Sequence, residues 1–325
     1  MSRYRDEDDV RVRPGRRSRP RSSLRPAHNN AEVALVTTID RGRYTCALDD
    51  KTVIAMRARE LGRRGVVVGD RVAVVGDLSG KPDALARIVR IEERTSELRR
   101  SGDDTEGTEA REKVIVANAQ QLVIVVALAD PPPRTGLIDR ALVAAEDAGI
   151  DPLLCLTKSD LAKPDELLRY YGKIDLPHVV WQRGTPVDDV REHLVGRRSV
   201  LLGHSGVGKS TLVNALVPGA DRATGIVSGI GKGRHTSTSA IALPLTPDGF
   251  VIDTPGVRSF GLAHIPYEDL LHGYPDLLPG SLNCEPGCDH SEPKSDCALD
   301  AWVAAGNAPA ERLVSFRTLL ASMRS

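Results

Sequence analysis

Eight residues, Gly203-His204-Ser205-Gly206-Val207-Gly208-Lys209-Ser210, stand between the apolar run Val200-Leu201-Leu202 and the helix-forming stretch Thr211 to Leu216. The pattern G-x-x-x-x-G-K-[ST], after a strand and ahead of a helix, makes a loop whose glycines let backbone N–H groups turn inward around phosphates. The helix start adds its positive dipole end. Lys209 is then expected to reach the β and γ phosphates and Ser210 to ligate magnesium, with Thr211 in the first helical turn. Such a loop needs a parallel α/β sheet behind it, and the chain supplies one. Gln121 to Ala127 is a continuous apolar strand, Leu137 to Ala148 a helix, and Pro152 to Leu156 a second buried strand. The alternation continues through Val179-Val180, Val187 to Leu194 and Ser199 to Leu202, which predicts one α/β domain over residues 114–262. Behind the loop, Val251-Ile252-Asp253-Thr254-Pro255-Gly256 ends a β run with an acid. Asp253 is expected to hold magnesium from the far side, and the Gly256 N–H to meet the γ phosphate.

The nucleobase is chosen by Thr157-Lys158-Ser159-Asp160, directly after the strand Pro152 to Leu156. The Asp160 carboxylate accepts two hydrogen bonds and so matches the N1–H and 2-amino group of guanine. Adenine offers an acceptor at N1 and no 2-amino group, which leaves a buried carboxylate unpaired. GTP is therefore expected over ATP, with the Lys158 stem packed over the base. The order of the parts is informative. In Ras-type GTPases the phosphate loop comes first, whereas here the reader at 157–160 precedes the loop at 203–210. The domain is circularly permuted, a rewiring that neighbouring termini permit. Any module attached after the second switch at Asp253 to Gly256 then feels the nucleotide state.

Gly225 to Ser239 holds Gly229, Gly231, Gly233 and the run Arg234-His235-Thr236-Ser237-Thr238, as expected of a first switch that orders around magnesium and the γ phosphate. Thr236 is the first choice for the magnesium hydroxyl and Thr238 the second. Val257 stands where a water-orienting Gln would follow Gly256, so intrinsic hydrolysis is expected to be slow. His235 is the candidate for placing the water. The expected catalytic set is His235, Lys209 and Gly256.

Other segments have other logic. Residues 1–30 carry nine arginines against four acids and almost nothing apolar, which reads as a disordered basic arm. Residues 31–94 alternate short β-prone runs with Asp49-Asp50, Gly69-Asp70 and Gly76-Asp77, which suits a small barrel of the OB type or an SH3-like one. With Tyr44 its only aromatic residue, contacts to a nucleic-acid backbone are expected rather than stacked bases. Residues 95–113 read as a linker and residues 263–325 as a helical module ending in the amphipathic stretch Ala310 to Met323. Within it, Cys284, Cys288, His290 and Cys297 offer three thiolates and an imidazole in fourteen residues, a closed tetrahedral set for one structural zinc. Lys plus Arg balance Asp plus Glu at 44 each, so no global field draws the chain to nucleic acid or acidic lipid. The longest apolar run, Leu122 to Ala129, falls far short of the ~20 residues of a membrane span. No membrane association, a cytoplasmic location and a monomeric state are the expectations.

Taken in this order, the barrel, Thr157 to Asp160, Gly203 to Thr211, Gly233 to Thr236, Asp253 to Gly256 and the Cys/Cys/His/Cys insert resemble the RsgA (YjeQ) family of circularly permuted GTPases over residues 31–325. The resemblance implies an N-terminal OB-fold and GTP hydrolysis with magnesium, stimulated by the small ribosomal subunit. It further implies binding to that subunit and its rRNA near the decoding region, and release of maturation factors late in assembly. Two departures stand out. The spacing C-x₃-C-x-H-x₆-C has three and six intervening residues where the family more often shows four and five, and Trp181-Gln182-Arg183-Gly184 lacks the Ser-Ala pair that usually backs the guanine. Two other readings compete: a nucleotide-gated ribosomal RNA-binding factor in which hydrolysis is incidental, and a P-loop ATPase or small-molecule kinase with a zinc lid.

Overall fold

The computed structural model describes residues 28, 30–61, 65–100, 113–220, 240–254, 260–291 and 297–324. His235, Thr236, Thr238, Gly256 and Val257, and the basic arm apart from His28 and Asn30, lie outside the described residues.

Alternation at period two builds a barrel from β1 (Glu32–Asp40), β2 (Arg43–Leu48), β3 (Lys51–Arg57), β4 (Arg71–Gly76) and β5 (Ala86–Ile91). Ala34, Val36, Tyr44, Cys46, Leu48, Val53, Ala55, Val72, Val74, Ala86 and Ile88 point into one apolar core. Arg41 and Gly42 both hold positive φ, the two-residue turn that suits the twist of the β1–β2 pair. The strands join in the order β1-β2-β3-β5-β4 and close through the antiparallel β1–β4 pair, a five-stranded closed barrel of the OB kind. Tyr44 is buried in that core, so the one aromatic ring of residues 31–94 is not on the barrel's outer face. Gly65 to Val68, read from sequence as β-prone, forms no strand; Val68 makes a single bridge to Val116.

The stretch expected to be a linker contains β6 (Glu97–Arg100), which pairs antiparallel with β7 (Lys113–Ala117). Its signal is weak because Leu98 is the one apolar residue of β6, flanked by Glu97, Arg99 and Arg100. A buried polar knot ties the barrel to this ribbon and to the turn after β7. Arg94 clamps the wholly buried Asp70 through two hydrogen bonds of 2.7 and 2.9 Å, and Asp70 also accepts the Val67 N–H at 2.7 Å. Asn118 donates to Gly69 O at 2.9 Å and accepts the Thr95 N–H at 2.9 Å.

The α/β sheet runs β10 (His178–Trp181), β9 (Asp151–Thr157), β8 (Gln121–Ala127), β11 (Arg198–Leu202), β13 (Phe250–Asp253) and β12 (Ile241–Pro244), parallel except for the antiparallel edge strand β12. All seven residues of β8 are buried, as a central strand covered on both faces requires. Leu122, Ile124 and Val126 face α1 (Thr135–Asp147) and the C-terminal helix Ala310–Arg324; Val123, Val125 and Ala127 face α3 (Asp188–Leu194) and α4 (Lys209–Leu216). The first core runs without a break through Phe260, Tyr274 and Phe316, so the apolar interior continues across residue 262. At its centre Arg312, fully buried, holds Asp276 through two hydrogen bonds (2.9 and 2.7 Å) and Asp139 of α1 through a third. Its guanidinium lies 4.6 Å from the Tyr274 ring centroid. Burial opposes its charge, but the Asp276 and Asp139 carboxylates outweigh that and raise its pKa.

Candidate nucleotide site and metal centre

Parallel strands end on one edge of a sheet, and there β9, β8, β11 and β13 bring the sequence motifs together. The register sets Thr157 beside Ala127, Leu202 beside Ile124, and Leu201 beside Asp253. Gly203 follows β11 where a Cβ would stand 2.7 Å from Val125 O, so the backbone there tolerates only glycine. Gly208 caps α4 with φ 93°, a left-handed conformation that turns the chain from loop into helix.

The two distant motifs are joined directly. The Thr157 hydroxyl donates to Val207 O at 2.6 Å, so the residue opening the expected guanine reader holds the middle of the phosphate loop. Lys158, at φ 57°, sends its ammonium to Asp130 O, which fixes the β8–α1 connection beside the reader. Ser159 is half-buried, and Asp160, Ser205, Gly206 and Ser210 are exposed, open to a ligand on this edge. Lys209 Nζ pairs with the Asp253 carboxylate and lies 3.5 Å from Thr254 O, while the Thr254 hydroxyl donates to Leu201 O at 2.9 Å. The lysine expected to meet phosphates and the acid expected to meet magnesium therefore already touch. Next to Thr157, Trp181 ends β10 and leads into a turn closed by Thr185 N–H to Gln182 O at 3.1 Å.

A cavity of about 250 Å³ adjoins the loop, lined among others by Pro131, Arg134, Leu137, His204, Ser205 and Val207. Sequence reasoning passed over Asp130 to Arg134; the three prolines after Asp130 mark a turn just past β8 and were the available signal.

In the C-terminal module the ligand atoms of Cys284, Cys288, His290 and Cys297 lie within 4.8 Å of one another. His290 Nδ1 is 3.6, 3.5 and 3.7 Å from the sulfurs of Cys284, Cys288 and Cys297. Zinc bonds of about 2.3 Å to sulfur and 2.0 Å to nitrogen at tetrahedral angles put such atoms about 3.5 Å apart, so the donor set fits that ion. The altered spacing thus leaves the four donors convergent. Burial pushes the Cys297 thiol up to about 11 and lowers the His290 pKa, favouring a neutral imidazole. Arg317, which nothing in the sequence marks, braces the cluster: it donates to His290 O at 3.1 Å, lies 3.7 Å from Cys297 Sγ, and pairs with Asp300 at 2.7 Å.

Strand order, the loop between β11 and α4, and a base reader earlier in the chain than that loop define a circularly permuted P-loop GTPase. Comparison with known proteins agrees. The family model RsgA GTPase matches residues 91–263. A protein of Chlorobaculum parvum named Small ribosomal subunit biogenesis GTPase RsgA is 38% identical over 298 residues, covering 89% of this chain and 94% of that one. A Pseudomonas aeruginosa protein of the same name is 41% identical over 221 residues, 65% of each chain. Among solved structures, YjeQ from Thermotoga maritima has this fold (TM-score 0.70, 24% identity, 90% of this chain and 99% of that one). So does YloQ, described as a circularly permuted GTPase (TM-score 0.68, 24% identity, 93% and 98%). The chain belongs to the RsgA GTPase family.

Proposed function

We propose that this chain is a GTP hydrolase that binds the small ribosomal subunit and its rRNA in the late maturation of that particle, with the nucleotide state setting association and release. The observation that carries the reading is the Thr157–Val207 hydrogen bond, which makes base reader and phosphate cradle one structural piece. Asp160 reads the N1–H and 2-amino group of guanine, and the Lys158 stem covers the base. The backbone N–H groups of Gly203 to Thr211 wrap the phosphates, and Lys209 exchanges Asp253 for the β and γ phosphates. Ser210, Thr236 and Asp253 are the residues that would hold magnesium, which supplies charge neutralisation on the phosphates when bound. Gly256 donates to the γ phosphate and His235 orients the attacking water. Cys284, Cys288, His290 and Cys297 would hold zinc, whose chemistry there is structural because all four positions are filled by protein. The protein acts as a monomer in the cytoplasm; among the described residues no helix is long and apolar enough to cross a membrane.

GTP turnover with and without purified small ribosomal subunits tests the reading. Stimulation by the subunit is expected, and equal rates would remove the ribosomal role. Val257 favours a second reading, in which the nucleotide gates RNA binding and turnover is incidental. Single-turnover hydrolysis on the subunit separates the two: a rate much slower than release of the protein supports gating alone.

A further inference from the structure

We propose that Arg134 is a further catalytic residue, an arginine supplied in cis to the terminal phosphate of GTP from the β8–α1 connection. The proposal rests on the nucleotide site assigned above. Arg134 lines the 250 Å³ cavity together with His204 and Ser205 from the first half of the phosphate loop. The second switch leaves β13 at Thr254, which is bonded to the strand feeding the phosphate loop, and the described chain resumes at Phe260. The Phe260 carbonyl accepts a 3.0 Å hydrogen bond from Arg140 of α1. The described ends of the switch therefore stand at the phosphate-loop strand and at the helix whose start carries Arg134. Beyond the second switch the described chain thus returns to α1, the helix that Arg134 caps.

Among the described residues the structure gives the Arg134 side chain no other employment. It occupies the N-cap of α1, where Ser, Thr, Asp or Asn would satisfy helix N–H groups, and makes no side-chain cap bond. A cation there opposes the helix dipole, and the first turn of α1 contains no acid to offset it. Among the described residues Arg134 has no carboxylate partner, and its side chain is exposed. A residue placed against local helix rules, beside a phosphate loop, in a chain with Val257 where a water-orienting Gln is usual, is accounted for by the reaction. In that reaction the water oxygen bonds to the γ phosphorus as the bond to the β–γ bridging oxygen breaks. The electron pair stays on GDP and the water proton ends on the departing phosphate. Charge grows on the bridging and γ oxygens, where a guanidinium is worth most.

The test compares the full chain with Arg134→Ala and Arg134→Lys, without ribosomal subunits. GDP affinity, read with a fluorescent guanine nucleotide, is expected within about threefold of the parent. The single-turnover rate of Arg134→Ala is expected to fall about a hundredfold, with partial recovery in Arg134→Lys and on adding millimolar guanidinium. GDP with aluminium fluoride, which mimics the transferring phosphoryl group, is expected to bind the parent and not Arg134→Ala. An unchanged rate would overturn the proposal, as would a loss explained by weaker GDP binding that guanidinium does not restore. Failure of the parent to bind guanine nucleotide at all would instead overturn the site assignment, and this proposal with it.

Discussion

Two helical cations, Lys209 with one carboxylate and Arg312 with two, contrast a contact at the proposed site with one fixed in the core. Lys209 and Asp253 meet at the open sheet edge, with side-chain exposures of 13% and 24%. Arg312 meets Asp139 and Asp276 in the core, all at 0–1%. This half-buried pair joins groups that each have a second partner waiting in the proposed site, phosphate for one and magnesium for the other. The buried set has every hydrogen bond internal: Asp139 also accepts from Tyr171 at 2.9 Å and from Tyr170 at 3.2 Å. Water can replace either member of the first pair at little cost, whereas nothing can replace a member of the second. The difference is between an interaction to be exchanged and one that joins the C-terminal module to the GTPase domain.

The largest effect is expected where the proposed zinc would extend the fixed side of that contrast. Cys288→Ser removes one of four convergent donors, and zinc contributes on the order of 10 kcal/mol to the folding of such a module. Zinc content by emission spectroscopy is expected to fall from one per chain to near zero, with a lower melting temperature and retained GDP binding. A fully loaded variant would remove this ligand set.

Next comes the joint itself. Arg312→Ala strands two buried carboxylates and is expected to cost about 3–5 kcal/mol, measured by urea unfolding. The comparison would break if Arg312→Ala and Lys209→Ala destabilised the chain equally.

That joint was not legible in the sequence. Arg312 and Asp139 lie 173 positions apart, and an arginine early in an amphipathic helix reads as solvated until the fold puts Tyr274 and Asp276 around it. The ribbon β6–β7 was hidden for a related reason: its pairing is non-local and Leu98 is a single apolar residue among charges. What could be read was local. Gly203 to Ser210 declares itself because its glycines, lysine and serine act within one turn of chain. Thr157 to Asp160 stood out in the sequence because a carboxylate matches guanine's edge, and the structure sets that segment against the phosphate loop. Between them, the Thr157–Val207 contact that unites the two is a tertiary fact, carried by a hydroxyl that any strand end could have offered.

A smaller free-energy change tests the exchanging side of the contrast. Asp160→Asn is expected to leave the fold alone, since Asp160 is exposed in the turn after β9, but removes an acceptor matched to guanine. Affinity for GTP is expected to drop about a hundredfold while ATP binding changes little, as measured by nucleotide competition. Equal binding of GTP and ATP to the unmutated chain would overturn the base-reader assignment.

The smallest effect on the fold is expected at Lys209. Its partner Asp253 keeps access to water, so Lys209→Ala is expected to change stability by less than about 1 kcal/mol. The variant should nevertheless lose what the ligand adds. Nucleotide at a hundred times its dissociation constant stabilises a binding fold by about 2.7 kcal/mol, and that increment is expected in the parent and absent in Lys209→Ala. A thermal-shift titration with GDP and magnesium reads both quantities in one experiment. If the lysine instead held the sheet edge together, the unliganded variant would melt well below the parent, and the Lys209–Asp253 pair would belong with Arg312 rather than opposite it.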